Sequence, residues 1–132
     1  QVAELNLEKR VKFFGFRSDI VPLMTACDLI THTSTSPEPF GRVIVEAMLC
    51  GKPVVAANEG GATELVEKNK TGWLISPEDP IKLAEVITTC RNQPELTATI
   101  AHQAQIHASQ HFDLKVINKQ ISHLLWQTIK VD

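Results

Sequence analysis

The chain alternates short apolar runs with stretches whose apolar residues return every third or fourth position. Val11-Lys12-Phe13-Phe14 ends at Gly15, and Asp28-Leu29-Ile30-Thr31-His32 runs into a polar loop. Both read as strands. Pro53-Val54-Val55-Ala56-Ala57 is apolar throughout, as in a strand covered on both faces, and Thr71-Gly72-Trp73-Leu74-Ile75 reads as another. Between these runs the period changes. Ser18 predicts a capped helix over 19–25. Residues 41–50 place Val43, Ala47 and Cys50 on one row with Ile44 and Met48 beside it. That is helical spacing, and Gly51 is its left-handed stop. After the turn Asn58-Glu59-Gly60-Gly61, Thr63 predicts a cap on a short helix over 64–67. Beyond Pro80 the pattern predicts helices over 81–90, 95–110 and 114–130. Gln1-Val2-Ala3-Glu4-Leu5 reads as the end of a helix already under way, so a piece of a longer polypeptide is expected.

Strands alternating with helices predict an α/β fold: a Rossmann-like, doubly wound parallel sheet, here with C-terminal helices. The 132 residues suit one domain. Ligands of such sheets bind beyond the carboxyl ends of the strands, which directs attention to the loops at 15–17, 33–41 and 58–61.

Composition narrows the classes. Hydrophobic residues make up 43 %, which marks a globular chain, and a net charge of −2 argues against a nucleic-acid surface. No apolar run approaches the roughly 20 residues that span a bilayer. Cys27, Cys50 and Cys90 are odd in number and widely spaced, fitting neither a disulfide framework nor a zinc site. They read as small buried hydrophobes in a reducing, cytoplasmic setting. Phe13, Phe14, Trp73 and Trp126 read as core. His102, His107, His111 and His123 read as surface or packing residues. His32 reads as structural, with a place at the pocket edge as the alternative.

The richest chemistry lies in Pro37-Glu38-Pro39-Phe40-Gly41-Arg42-Val43-Ile44-Val45-Glu46-Ala47-Met48. A helix begins there straight after a loop. Its first amides lack internal partners, and with the helix dipole they suit an anion such as a diphosphate. Gly41 permits close backbone approach. Glu38 precedes the helix, and Glu46 lies too far along it to serve as a cap. A carboxylate accepts well from paired vicinal hydroxyls. Two glutamates at this spacing mean nothing alone. Their placement around Pro-Phe-Gly at a strand-to-helix junction suggests a ligand with hydroxyls and phosphates.

This segment resembles the glutamate, seven residues, glutamate signature of retaining GT-B glycosyltransferases, the family that includes glycogen and sucrose-phosphate synthases and many mannosyl- and glucosyltransferases. The likeness continues in order from Val11-Lys12-Phe13-Phe14-Gly15 with Asp19, through Ala26-Cys27-Asp28, to Glu46-Ala47-Met48 and Gly51-Lys52-Pro53-Val54-Val55-Ala56. Gly60-Gly61 with Glu64, then Thr71-Gly72-Trp73-Leu74-Ile75, complete it, so that it runs over about residues 9 to 90.

The resemblance implies roles. Glu46 would hold the ribose hydroxyls, and Glu38, the candidate catalytic residue, would face the donor sugar and position it rather than attack it. The backbone amides of Phe40, Gly41 and Arg42 would contact sugar and diphosphate. Gly15, Phe16 and Arg17 would lie along the base. The side chain of Arg42 is left open between a site role and a solvated helix position. Glu64 either binds or supports its own helix. The donor substrate would be a nucleoside-diphosphate sugar, with no metal and no other cofactor. The full enzyme would move a hexose to an acceptor hydroxyl with retention, by a front-face reaction in which the leaving phosphate helps deprotonate the acceptor. The alternative is a non-catalytic half-domain that binds a nucleotide sugar or a partner chain.

The family's sheet has two earlier strands, whose loops carry an Arg and a Lys for the leaving diphosphate, and an N-terminal acceptor domain. Residues 1–10 can supply none of these. The expectation is therefore an N-terminally truncated C-terminal half of a GT-B fold, inactive alone. The missing strands would separate the first two present here. Either residues 11–14 shift to pair with 28–32, or another chain fills the gap, as in a homodimer. Peripheral membrane association of the full enzyme is compatible with this. Donor sugar, base and acceptor are not specified by these motifs.

Overall fold

The structure, a computed structural model, describes residues 1–129. In chain order it contains α1 (Ile20–Ala26), β1 (Ile30–His32), α2 (Arg42–Leu49), β2 (Val54–Ala57), α3 (Ala62–Leu65), β3 (Trp73–Ile75), α4 (Pro80–Asn92), α5 (Pro94–His111) and α6 (Leu114–Ile129). The strands form one parallel sheet in the order β1-β2-β3. Ile30 pairs with Val54, His32 with Ala56, and Ala56 with Leu74 on the other side.

β2 is buried along its whole length because it lies between two strands and under helices on both faces. Val54 and Ala56 join α2, α3 and the C-terminal half of α5 in one core that also takes Met24 of α1. Val55 points the other way and packs with Trp73, Ile75, Val86, Cys90 and Ile100. The α/β, doubly wound reading therefore holds. α2 buries Ile44, Val45, Ala47 and Met48 and stops at Gly51, whose φ of 67° favours a residue without a Cβ. α4 opens with Pro80 in its first turn and Asp79 as a cap, its carboxylate accepting from the Lys82 N–H at 2.8 Å.

Several expectations are corrected. Residues 11–14 form no strand and do not shift onto β1; Phe13 is 82 % exposed. A parallel strand needs both a ladder partner and a covering helix, and this run has neither. Among the described residues β1 consequently pairs only with β2, and its other edge is open. Phe14 and Trp126 are also exposed, so of the four aromatics read as core only Trp73 is buried. Ser18 does not cap α1. Asp19 takes the cap position, but its carboxylate turns to Arg17 instead of the helix amides. α3 starts at Ala62, so Thr63 lies inside it and donates its hydroxyl to the Gly60 carbonyl at 2.8 Å. The opening residues, by contrast, close as a helix end reads: the Leu5 N–H bonds to the Gln1 carbonyl, and with Asn6 at a φ of 52° the Asn6 and Leu7 N–H groups turn back to the Ala3 and Val2 carbonyls. Cys90 is buried, Cys27 and Cys50 only partly so, and all three are free thiols. The end of the last predicted helix, Lys130, lies outside the described residues. Among the described residues no helix is long and apolar enough to cross a membrane.

Candidate functional site

β1 ends at His32, and loop 33–41 carries the chain to α2. Glu38 stands between two prolines, and Pro39 restricts its backbone to extended conformations. The turn after β2 holds this loop from behind: the Gly61 N–H donates to the Glu38 carbonyl at 2.8 Å. A Cβ on Gly60 would come within 2.5 Å of that carbonyl oxygen, and one on Gly61 within 2.4 Å of the Phe40 oxygen. The glycine pair thus exists for close backbone contact as well as for the turn. Just past α5, Phe112 meets the Phe40 ring edge-on at 5.9 Å, worth about 1 kcal/mol or less at this half-exposed position.

Gly41, at a φ of 96°, starts α2 without a side-chain cap. The Ile44 N–H bonds to the Gly41 carbonyl, while among the described residues the Arg42 and Val43 amides make no hydrogen bond. They are the donors that an anion at this helix start would take. Glu46 lies farther along α2, and its Oε1 is 3.2 Å from Nη2 of Arg42. Arg42 thus takes the solvated position, 85 % exposed, as an i,i+4 partner of Glu46. Its spacing was a readable sign of that pair. The Glu38 carboxylate is half exposed, and its Oε1 is 3.1 Å from His32 Nε2. No local sequence signal announces that contact or the Phe112 buttress.

Glu38, Phe40, Gly41, Arg42 and Glu46 are therefore brought together at one strand-to-helix junction. Gly15, Phe16 and Arg17 are not joined to it by any hydrogen bond or ion pair among the described residues. Gly15 turns at a φ of 63°, and Phe16 is 98 % exposed. Arg17 lies over the Phe14 ring and binds the Asp19 carboxylate; their hydrogen bonding raises the guanidinium pKa and lowers that of the carboxyl. Glu64 occupies the first turn of α3, where a carboxylate favours the helix. A cavity of about 550 Å³ opens at the carboxyl ends of the strands, lined in part by Thr33, Ser34, Thr35 and Glu78, but not by Glu38 or Glu46. A larger cleft of about 800 Å³, with Lys52, Arg91 and His102 in its walls, lies at the opposite strand ends.

A family model described as glycosyl transferases group 1 matches residues 1–107. N-acetyl-alpha-D-glucosaminyl L-malate synthase of Bacillus anthracis is 28 % identical over 131 residues, which are 99 % of this chain and 34 % of that protein. D-inositol 3-phosphate glycosyltransferase of Corynebacterium efficiens is 33 % identical over 123 residues, 92 % of this chain and 28 % of that one. Anabaena Alr3699/HepE, solved in complex with UDP-glucose, is 60 % identical and superposes with a TM-score of 0.91, covering 96 % of this chain and 35 % of its own. This chain spans between 28 and 35 % of the length of these relatives.

Proposed function

Since this chain belongs to the group 1 glycosyl transferases, we propose that it is the nucleotide-sugar-binding part of an enzyme that transfers a hexose to an acceptor hydroxyl with retention of configuration. The observation that carries this reading is the placement of Glu38 and Glu46 on either side of the uncapped start of α2. The free Arg42 and Val43 amides would hold the diphosphate, and Glu46 would hold the ribose hydroxyls. Glu38 would face the hydroxyls of the donor sugar. The likeness to a protein solved with UDP-glucose favours uridine as the base.

In this reading the helix amides stabilise negative charge as it builds on the leaving diphosphate, where preorganised donors are most effective. The leaving phosphate takes the acceptor proton from the same face, so no protein nucleophile is needed. Glu38 positions the sugar. Acceptor contacts belong to the roughly two-thirds of the relatives' length that this chain does not span, and the isolated chain binds donor without transferring it. Its free thiols support a reducing, cytoplasmic setting.

Calorimetric titration with UDP, GDP and their glucose and mannose forms tests the proposal. The uridine ligands should bind saturably, and Glu46→Ala should weaken UDP by roughly tenfold or more. A folded chain that binds none of them would overturn the reading. The open β1 edge favours a second reading, a non-catalytic module that pairs with another chain. Recovery of hexosyl transfer on adding that other chain would exclude a purely non-catalytic role.

A further inference from the structure

We propose that His32 is a positioning residue for Glu38, selecting the direction in which its carboxylate meets the donor sugar. The inference rests on the donor-binding reading above and adds a residue to it. The backbone of Glu38 has little freedom. Pro39 restricts it to extended conformations. The Gly61 N–H holds its carbonyl at 2.8 Å. The bare Cα atoms of Gly60 and Gly61 fill the space behind it, where any Cβ would strike the backbone of residues 37–40. What remains free is the Glu38 side chain, with three torsions and a carboxylate that is 44 % exposed. Such a group samples several rotamers unless a partner selects one.

His32 is the one side-chain polar partner that Glu38 has among the described residues, with Nε2 at 3.1 Å from Oε1. Its own position is constrained by the sheet. It ends β1, in register with the fully buried Ala56 of β2, and its side chain is only 12 % exposed. Nδ1 is buried and makes no hydrogen bond, so among the described residues Glu38 is also the sole polar partner of this ring. A partly buried imidazole with one polar contact is a reference point for an otherwise free carboxylate. It leaves the second carboxylate oxygen for the ligand.

The test separates sugar from nucleotide. UDP and UDP-glucose are titrated into the wild-type chain and into His32→Ala, Glu38→Ala and the double variant, each checked by circular dichroism. His32→Ala should weaken UDP-glucose by roughly tenfold and leave UDP unchanged, and it should have no further effect in the Glu38→Ala background. His32→Gln, which can offer an N–H near the Nε2 position, should recover part of the loss. Equal weakening of UDP and UDP-glucose, or additive effects of the two alanine changes, would overturn the proposal. Should His32→Ala not fold, the His32→Gln and Glu38→Ala pair decides the coupling in the same way. If the wild type binds neither ligand, the donor-binding reading itself fails. The positioning contact is then decided by ring ¹⁵N resonances: those of His32 should move in Glu38→Gln, and unmoved signals would refute it.

Discussion

His107 shows how a residue read as simple packing gains chemical character from its neighbours. Its ring stacks on His111 with centroids 4.5 Å apart, and its Nδ1 lies 3.5 Å from Oε1 of Glu67. Burial first, then the nearby His111, pushes its pKa below the usual value. Lys70 acts in the same direction, and Glu67 opposes them. An unfolded histidine titrates at about 6.5, so the unfolded chain takes this proton first. The stability at stake is therefore present in full above that pH and lost as pH falls from it toward the lower folded value. Urea midpoints should drop between pH 7.5 and 5.5, and His107→Gln should flatten that slope. An unchanged slope would assign the dependence to other groups. Glu67 belongs to a separate, more acidic window. Its pKa is lowered first by the hydrogen bond from Lys70, so its contribution is lost as pH falls from the usual carboxylate value through that lowered one. At this scale Glu38, Gly41 and Glu46 were legible, since helix starts and carboxylates have local signatures. The His32 contact was not, because nothing near residue 32 specifies the path of the loop that returns Glu38 to it.

Among the elements, α5 and α6 both read as helices in the sequence and differ in what they bury. α5 contributes Ile100, Ala101, Ala104 and Ala108 to the core, whereas α6 has no buried residue. Leu114, Ile121, Leu124, Leu125, Trp126 and Ile129 of α6 are all exposed. Helical period alone says that an apolar face exists, not that a partner covers it. Ending the chain at Asp113 should therefore shift the thermal midpoint by less than about 4 °C, the scale of 1 kcal/mol for a domain of this size. A larger loss in calorimetry would show that α6 stabilises the rest through contacts beyond its own buried surface. The same reasoning covers residues 11–14: their apolar pattern was read correctly and their pairing was not, because a strand is defined by its neighbour.

For the whole molecule, the open edge of β1 and the exposed Phe13 and Phe16 place unpaired backbone and apolar surface on one chain. Such surfaces favour association. Sedimentation velocity should show self-association that grows with concentration, reduced in a Phe13→Ser, Phe16→Ser variant. A monomer at all concentrations would refute this. The sequence by itself determined the alternation of strands and helices, the parallel sheet, the doubly covered strand at 53–57, the stop at Gly51, and the glutamates around the start of α2. These follow from short-range rules: side-chain period, the φ that glycine allows, and the open amides of a helix start. Only the tertiary structure decided that residues 11–14 stay outside the sheet and that His32, Gly61 and Phe112 converge on one loop. Those outcomes depend on which surfaces find partners, and a partner distant along the chain leaves no mark on the local pattern.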